Sequence, residues 1–237
     1  MAEMAGLKEK TMALIIESGG LEIRDVDNGQ EPFLYSTGNH GPGYVDIKGR
    51  IGFDEVFEAM AELLFQKLVE DNICPELVVG MMTGGSLPGY RIKQKLAEYF
   101  GKRVVYIYQR GARKVGGHLE LDTGVRDNPY IKVACDTLVV EELVNFAGTT
   151  TNGVLYERSK GRKVDHAASI LFYENPVAVE RLKKNNIQLH YPIGLKTDLL
   201  PFAADNGYVS AQKVQLYLNF LENPKRWNES RGFKFYG

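Results

Sequence analysis

The segment from Thr137 to Thr150 reads Thr-Leu-Val-Val-Glu-Glu-Leu-Val-Asn-Phe-Ala-Gly-Thr-Thr. An apolar run leads into two adjacent carboxylates, then a small-residue loop, then hydroxyls where a helix would open. Backbone amides at a helix start, joined by threonine hydroxyls, make a cradle for a phosphate. Glu141 and Glu142 beside it suit the vicinal hydroxyls of a ribose, which donate to ionised acids. The same residues also read as a solvated strand end and a turn. No lysine follows Gly148, so the segment is not the phosphate loop of a Walker-type ATPase. Two further segments carry anion chemistry. Thr83-Gly84-Gly85-Ser86 offers two glycines, which let the backbone approach a pyrophosphate, with Ser86 at a helix start. Arg110 to His118 holds Arg110, Arg113 and Lys114 among Gly111, Gly116 and Gly117, a cationic loop suited to a departing pyrophosphate.

The surrounding pattern says what must hold these loops. Leu7–Glu17 reads as a helix closed by Ser18-Gly19-Gly20, and residues 21–52 as strand and turn material. In Phe53–Glu70, the residues Phe53, Val56, Phe57, Met60, Leu63, Leu64 and Leu68 recur at three and four and predict one apolar helix face. Strands are predicted at 77–82, 103–108, 137–140, 167–172 and 187–191. Helices are predicted at 86–100, 149–162, 177–185 and 210–221. Apolar strands alternating with helices predict an α/β fold, a parallel sheet covered on both faces. Ligands of such sheets bind beyond the carboxyl ends of the strands, where all three loops fall.

Composition narrows the class. The 237 residues carry 29 Lys plus Arg against 30 Asp plus Glu, a net charge of −1, which argues against nucleic-acid or membrane partners. Cys74 and Cys135 form no disulfide framework or metal spacing, no apolar run reaches membrane-spanning length, and Met1–Met4 lacks a signal-like pattern. The expectation is a cytoplasmic chain. His40, His118, His166 and His190 share no metal spacing, and His190 reads as structural.

Four apolar residues, two acids, two apolar residues and then Ala-Gly-Thr-Thr resemble the 5-phosphoribosyl 1-pyrophosphate (PRPP) motif of type I phosphoribosyltransferases. The rest of the chain resembles the orotate phosphoribosyltransferases over nearly its whole length. Phe33 to Gly38 with Pro42 and Tyr44-Val45-Asp46 is similar to their orotate-side segment, and Val79 to Pro88 to their pyrophosphate loop. Tyr108-Gln109-Arg110 with Lys114 is similar to their mobile loop. Leu189-His190-Tyr191, Thr197 to Leu200, Gly207 to Ser210 and Phe220 to Pro224 before Trp227 follow in the family's order.

The resemblance implies a type I phosphoribosyltransferase fold in one domain over 1–237. Residues 1–52 would contribute an N-terminal helix and a hood, and 200–237 a C-terminal extension. It implies transfer of phosphoribosyl from PRPP to orotate with Mg²⁺ held through PRPP rather than by direct protein ligands. It also implies a homodimer in which the mobile loop reaches the neighbouring site. Carried over, Lys114, Arg110 and His118 act in catalysis and Glu141 and Glu142 hold the ribose. Asn145, Ala147, Gly148, Thr149 and Thr150 hold the 5′-phosphate. Thr83, Gly84, Gly85 and Arg113 hold the pyrophosphate, and Ser36, Thr37, Tyr44 and Tyr173 meet the base.

The pattern is broken at chemically meaningful places. Both acids are glutamates where the family has at least one aspartate, and Asn145-Phe146 replaces a threonine. Gly111 and Gly116 stand where the mobile loop has a lysine and a histidine, with Arg113 and His118 nearby. Ser36 takes the place of a lysine, and Leu171 to Asn175 lacks the arginine that meets the orotate carboxylate. A different nucleobase, or a PRPP-binding regulator without turnover, therefore stays open beside orotate.

Overall fold

A computed structural model of the chain describes residues 2–35, 37–110, 121–125 and 128–236. It begins with α1 (Ala2–Glu17), then β1 (Leu21–Ile23), β2 (Phe33–Leu34), β3 (His40–Gly41), β4 (Gly43–Val45) and the short α2 (Ile47–Arg50). Next come α3 (Asp54–Glu70), β5 (Leu77–Met81), α4 (Ser86–Tyr99), β6 (Val105–Gln109) and β7 (Asp122–Thr123). β8 (Asp136–Val144), α5 (Gly148–Ser159), β9 (Lys163–Phe172), α6 (Pro176–Lys184), β10 (Gln188–His190) and β11 (Ile193–Gly194) complete the α/β alternation. The chain closes with a π-helical turn at Leu195–Leu199, α7 (Leu200–Asp205), α8 (Ala211–Glu222) and α9 (Pro224–Glu229).

The main sheet has the order β10-β9-β8-β5-β6-β7, with β11 continuing beside β9. Its strands pair in parallel except β7, which runs antiparallel to β6. Alternation along the strands sends side chains to opposite faces. Val78, Leu138, Val140 and Ile170 join one apolar cluster, while Leu77, Val79, Val139 and Ala167 join another. The predicted two-sided burial is therefore met, and the sheet is an α/β sheet with helices on both faces.

The α3 stripe folds as its spacing predicts, with Val56, Met60, Leu63, Leu64 and Leu68 buried. Phe53 is the exception. It lies just outside the helix, 48% exposed, with the Arg50 guanidinium 5.0 Å from its ring centroid. Other corrections have local causes. β8 runs on through Glu141 and Glu142 to Val144, so the two acids sit in the strand rather than in a loop after it. β9 starts at Lys163, because its exposed first residues still pair with β8. The polar β7, the four-residue α2 capped by the Asp46 side chain, and the short α7 and α9 were not expected.

The C-terminal segment is tied to the β2–β3 hairpin. Asn228 is fully buried, accepting from His40 N at 3.0 Å and donating to His40 O at 2.9 Å. Asn39 exchanges a similar pair with the backbone of Tyr236, at 2.7 and 2.8 Å. Among the described residues no helix is long and apolar enough to cross a membrane.

Candidate functional site

Strands β5 and β8 are neighbours in parallel, with Gly80 opposite Val140, so their carboxyl ends open side by side. From β5 the chain passes through a cis Met82–Thr83 peptide to Gly84 and Gly85, and α4 begins at Ser86. Ser86 Oγ donates to Thr83 O at 2.8 Å and closes this turn. Both glycines are forced by what lies opposite. A Cβ on Gly84 would land in the carboxylate of Glu142, and one on Gly85 would strike the carbonyl of Val140. The Thr83–Gly85 loop and the acidic pair are thus in contact, as the sequence reading requires of one binding site.

Glu141 is 7% exposed and Glu142 half-buried. Burial pushes the Glu141 carboxyl up to about 8, with the neighbouring charge of Glu142 adding to it. Burial raises Glu142 too, against the opposing attraction of Lys48 on α2. Both carboxyls are thus biased toward the protonated form, and donors from a ligand would favour the charged one.

The phosphate end follows β8. Ala147 is buried and left-handed (φ 55°), turning the chain into α5 without a side chain of its own to cap the helix. Thr151 N already donates to Ala147 O at 3.0 Å, which leaves the first-turn amides at 148–150 for another acceptor. Thr149 is exposed and Thr150 buried at 2%. Asn145 accepts from Asn175 Nδ2 at 3.3 Å, so it braces the loop from the β9 side. Sequence reasoning missed Arg181 on α6. Its Nη1 donates to Phe146 O at 2.7 Å and lies 3.2 Å from where a Gly148 Cβ would be, a cation at the mouth of the cradle.

The base-side candidates are spread over the hood. Tyr44 is 48% exposed and its ring lies 5.7 Å from that of Phe33. Tyr173 stands near Tyr44, but its hydroxyl is hydrogen-bonded to Tyr217 and to the Val45 backbone, and burial pushes it up to about 12. Tyr173 thus supports the hood from beneath. Thr37 is exposed in the β2–β3 turn, where its hydroxyl accepts from Asn39 N at 3.4 Å. Where an arginine was sought, Glu174 (φ 55°) accepts from Lys196 N, Thr197 N and Thr197 Oγ1 at 2.7 to 2.9 Å. It holds the following loop. Lys48, also missed, is the exposed cation whose charge reaches Glu142. No signal in a four-residue helix could have singled it out.

Arg110 follows β6 directly, its amide donating to Leu121 O at 2.9 Å. Gln109 O accepts from Met82 N at 2.8 Å, which puts Arg110 next to the Thr83 turn. Ser36, Arg113, Lys114 and His118 lie outside the described residues.

A cavity of about 490 Å³ lies elsewhere, among Lys8, Lys67, Asp71, His190 and Asp198. Its charges are already matched, with Lys8–Asp198 at 2.7 Å, Lys67–Asp71 at 2.8 Å and His190 Nδ1–Asp71 at 2.6 Å. His190 is buried, also contacts His166 at 3.0 Å, and is held below its ordinary pKa by burial, as a structural histidine would be.

No family model matches the chain. An orotate phosphoribosyltransferase of Streptococcus thermophilus is 25% identical over 220 residues, covering 92% of this chain and all of that protein. One from Cereibacter sphaeroides is 26% identical over 222 residues, covering 93% and 90%. Among solved structures, the UMP synthase of Leishmania donovani superimposes with a TM-score of 0.69 at 17% identity, over 90% of this chain and 42% of that one. The orotate phosphoribosyltransferase of Aeropyrum pernix gives 0.59 at 21% identity, over 84% and 99%. That of Mycobacterium tuberculosis in complex with PRPP gives 0.56 at 14%, over 80% and 96%. The fold is that of the type I phosphoribosyltransferases.

Proposed function

We propose that this chain, a divergent relative of the orotate phosphoribosyltransferases, transfers the phosphoribosyl group of PRPP to orotate. A C1–N bond to the base forms as the C1–O bond to pyrophosphate breaks, giving orotidine 5′-monophosphate and pyrophosphate. One observation carries the reading: two backbone cradles for anions open at neighbouring parallel strand ends, with a carboxylate pair pressed between them.

The roles follow from charge. The 148–150 amides and Thr150, with Asn145 and Ala147 shaping the loop and Arg181 at its mouth, hold the 5′-phosphate. Glu141 and Glu142 accept from the ribose hydroxyls. Thr83, Gly84 and Gly85 hold the pyrophosphate, and Arg110 with Arg113 and Lys114 meets the charge that grows on it as it leaves. His118 stands in the same loop. The transition state is oxocarbenium-like, so positioning and charge stabilisation supply the catalysis. Tyr44 and Thr37 on the hood, with Ser36, face the base, over Tyr173 as support.

Mg²⁺, a hard cation that takes oxygen ligands, would ride mainly on PRPP oxygens and water. Among the described residues no three metal-ligating side chains converge. When bound it neutralises pyrophosphate charge. A homodimer, with the Arg110–His118 loop of one chain serving its neighbour, completes the proposal. Mixing Lys114→Ala with Glu141→Gln/Glu142→Gln protein should then restore part of the lost activity.

Glu174 favours a second reading, an uncharged base. It puts a structurally committed acid where an orotate carboxylate would want a cation. One experiment separates the readings: pyrophosphate release from PRPP and Mg²⁺ with a panel of bases. Release with orotate supports the first reading, and release with another base only supports the second. PRPP binding without release from any base identifies a regulator, and no PRPP binding overturns all three.

A further inference from the structure

PRPP carries its 5′-phosphate and its pyrophosphate on one sugar, so both cradles can be filled together only within a limited range of spacings. The strands join them through the β5–β8 ladder, and a second link runs beneath. Glu157, in the last turns of α5, is fully buried, and Arg162 just beyond that helix is 7% exposed. Asp122 on β7 is 6% exposed. The Arg162 guanidinium pairs through Nη1 with Glu157 Oε2 and lies 3.7 Å from Asp122 Oδ2.

Each end of this triad leads to one cradle. Glu157 is on the helix whose first turn offers the 148–150 amides, about two turns away. Asp122 lies opposite Gln109 in the β6–β7 ladder, and Gln109 O accepts from the Met82 amide directly before Thr83. Between the two paths α5 presses on β5. A Cβ on Gly153 would come within 2.8 Å of Met81 Sδ. An apolar trio would fill this space without the cost of desolvating three charges, so stability is a weak reason for the ions. A guanidinium hydrogen-bonded to an acid on one element and ion-paired with an acid on another does something apolar packing does not, because it ties the two elements by charge and direction.

We infer that Arg162 is a positioning residue that sets the spacing of the phosphate helix and the pyrophosphate loop, and so selects ligands that bridge them. The inference rests on the PRPP reading above.

The test compares a bridging ligand with its halves. Dissociation constants for PRPP, pyrophosphate and ribose 5-phosphate, each with Mg²⁺, are measured by calorimetry for the wild type, Asp122→Asn and Arg162→Lys. Melting curves establish that each variant is folded, and Asp122→Asn keeps the side-chain volume should Arg162→Lys not fold. Loosened spacing is expected to weaken PRPP by about tenfold or more while both halves stay within about twofold. Arg162→Lys, which keeps one charge contact, should lose less than Asp122→Asn combined with it. Parallel losses for all three ligands would make the triad merely structural, and undiminished PRPP affinity in a folded Asp122→Asn protein would overturn the inference. A wild type that binds none of the three refutes the PRPP reading instead.

Discussion

Replacing Glu141 with Gln should change how stability depends on pH, in a direction that the burial of this carboxyl dictates. Its folded pKa is held at about 8, against 4.5 for an ordinary glutamate. Between these values the folded chain binds a proton that the unfolded chain has released, so stability falls as pH rises through this window. At 1.36 kcal/mol per pH unit, the full difference is on the order of 5 kcal/mol, reached only above pH 8. Glu142 shares the titration, so the loss belongs to the pair and is spread over the window. Urea denaturation at pH 5, 6.5 and 8 reads it directly. The wild type should lose several kcal/mol from pH 5 to 8 relative to Glu141→Gln, whose amide needs no proton. The same proton must leave when ribose hydroxyls donate to the pair. PRPP binding should therefore release protons at pH 7, seen as a buffer-dependent enthalpy, and tighten as pH rises toward 8, by up to about tenfold per pH unit. Parallel stability curves for the two proteins, or buffer-independent binding enthalpy, would refute the argument, because each requires Glu141 to be ionised in the empty site.

Three further outcomes follow from the same geometry. Gly84→Ala should weaken PRPP and pyrophosphate by about tenfold or more, since its methyl would displace the Glu142 carboxylate, while Gly85→Ala should cost about 1–3 kcal/mol in urea melts by striking the β8 backbone. Arg181→Gln should weaken ribose 5-phosphate about tenfold, the scale of one charge-assisted hydrogen bond, and leave pyrophosphate binding unchanged in the same titrations. Lys114→Ala should lower kcat by about 10²–10³-fold with PRPP affinity little changed in steady-state assays, and an equal fall for His118→Ala would give that histidine the role Gly116 cannot fill.

How much of this could be read from the sequence depends on how far along the chain each feature is encoded. The sheet faces and the α3 stripe were legible, because alternation and three-four spacing are local. So were the cradles. Thr83–Gly85 and Ala147–Thr150 offer backbone at strand-to-helix turns, and small residues at such a turn announce that geometry within a few positions. Extension of β8 through the acids was not legible, since charged residues read as a strand end until β9 is known to pair with them at Glu141 and Leu143. Nor was the role of Glu174. The sequence revealed a missing arginine, and only the fold showed the acid holding the 196–197 amides. Arg181, Lys48 and Arg162 are unremarkable cations until folding brings Gly148, Glu142 and Asp122 to them. The base side is the extreme case. The hairpin that carries Thr37 is clasped by Asn228 and Tyr236, contacts 188 and 197 residues apart in the chain. The proposed phosphate cradles are thus written in segments of about ten residues, while the base side is written across the whole chain. That is why a close reading of residues reaches the cosubstrate before it reaches the base.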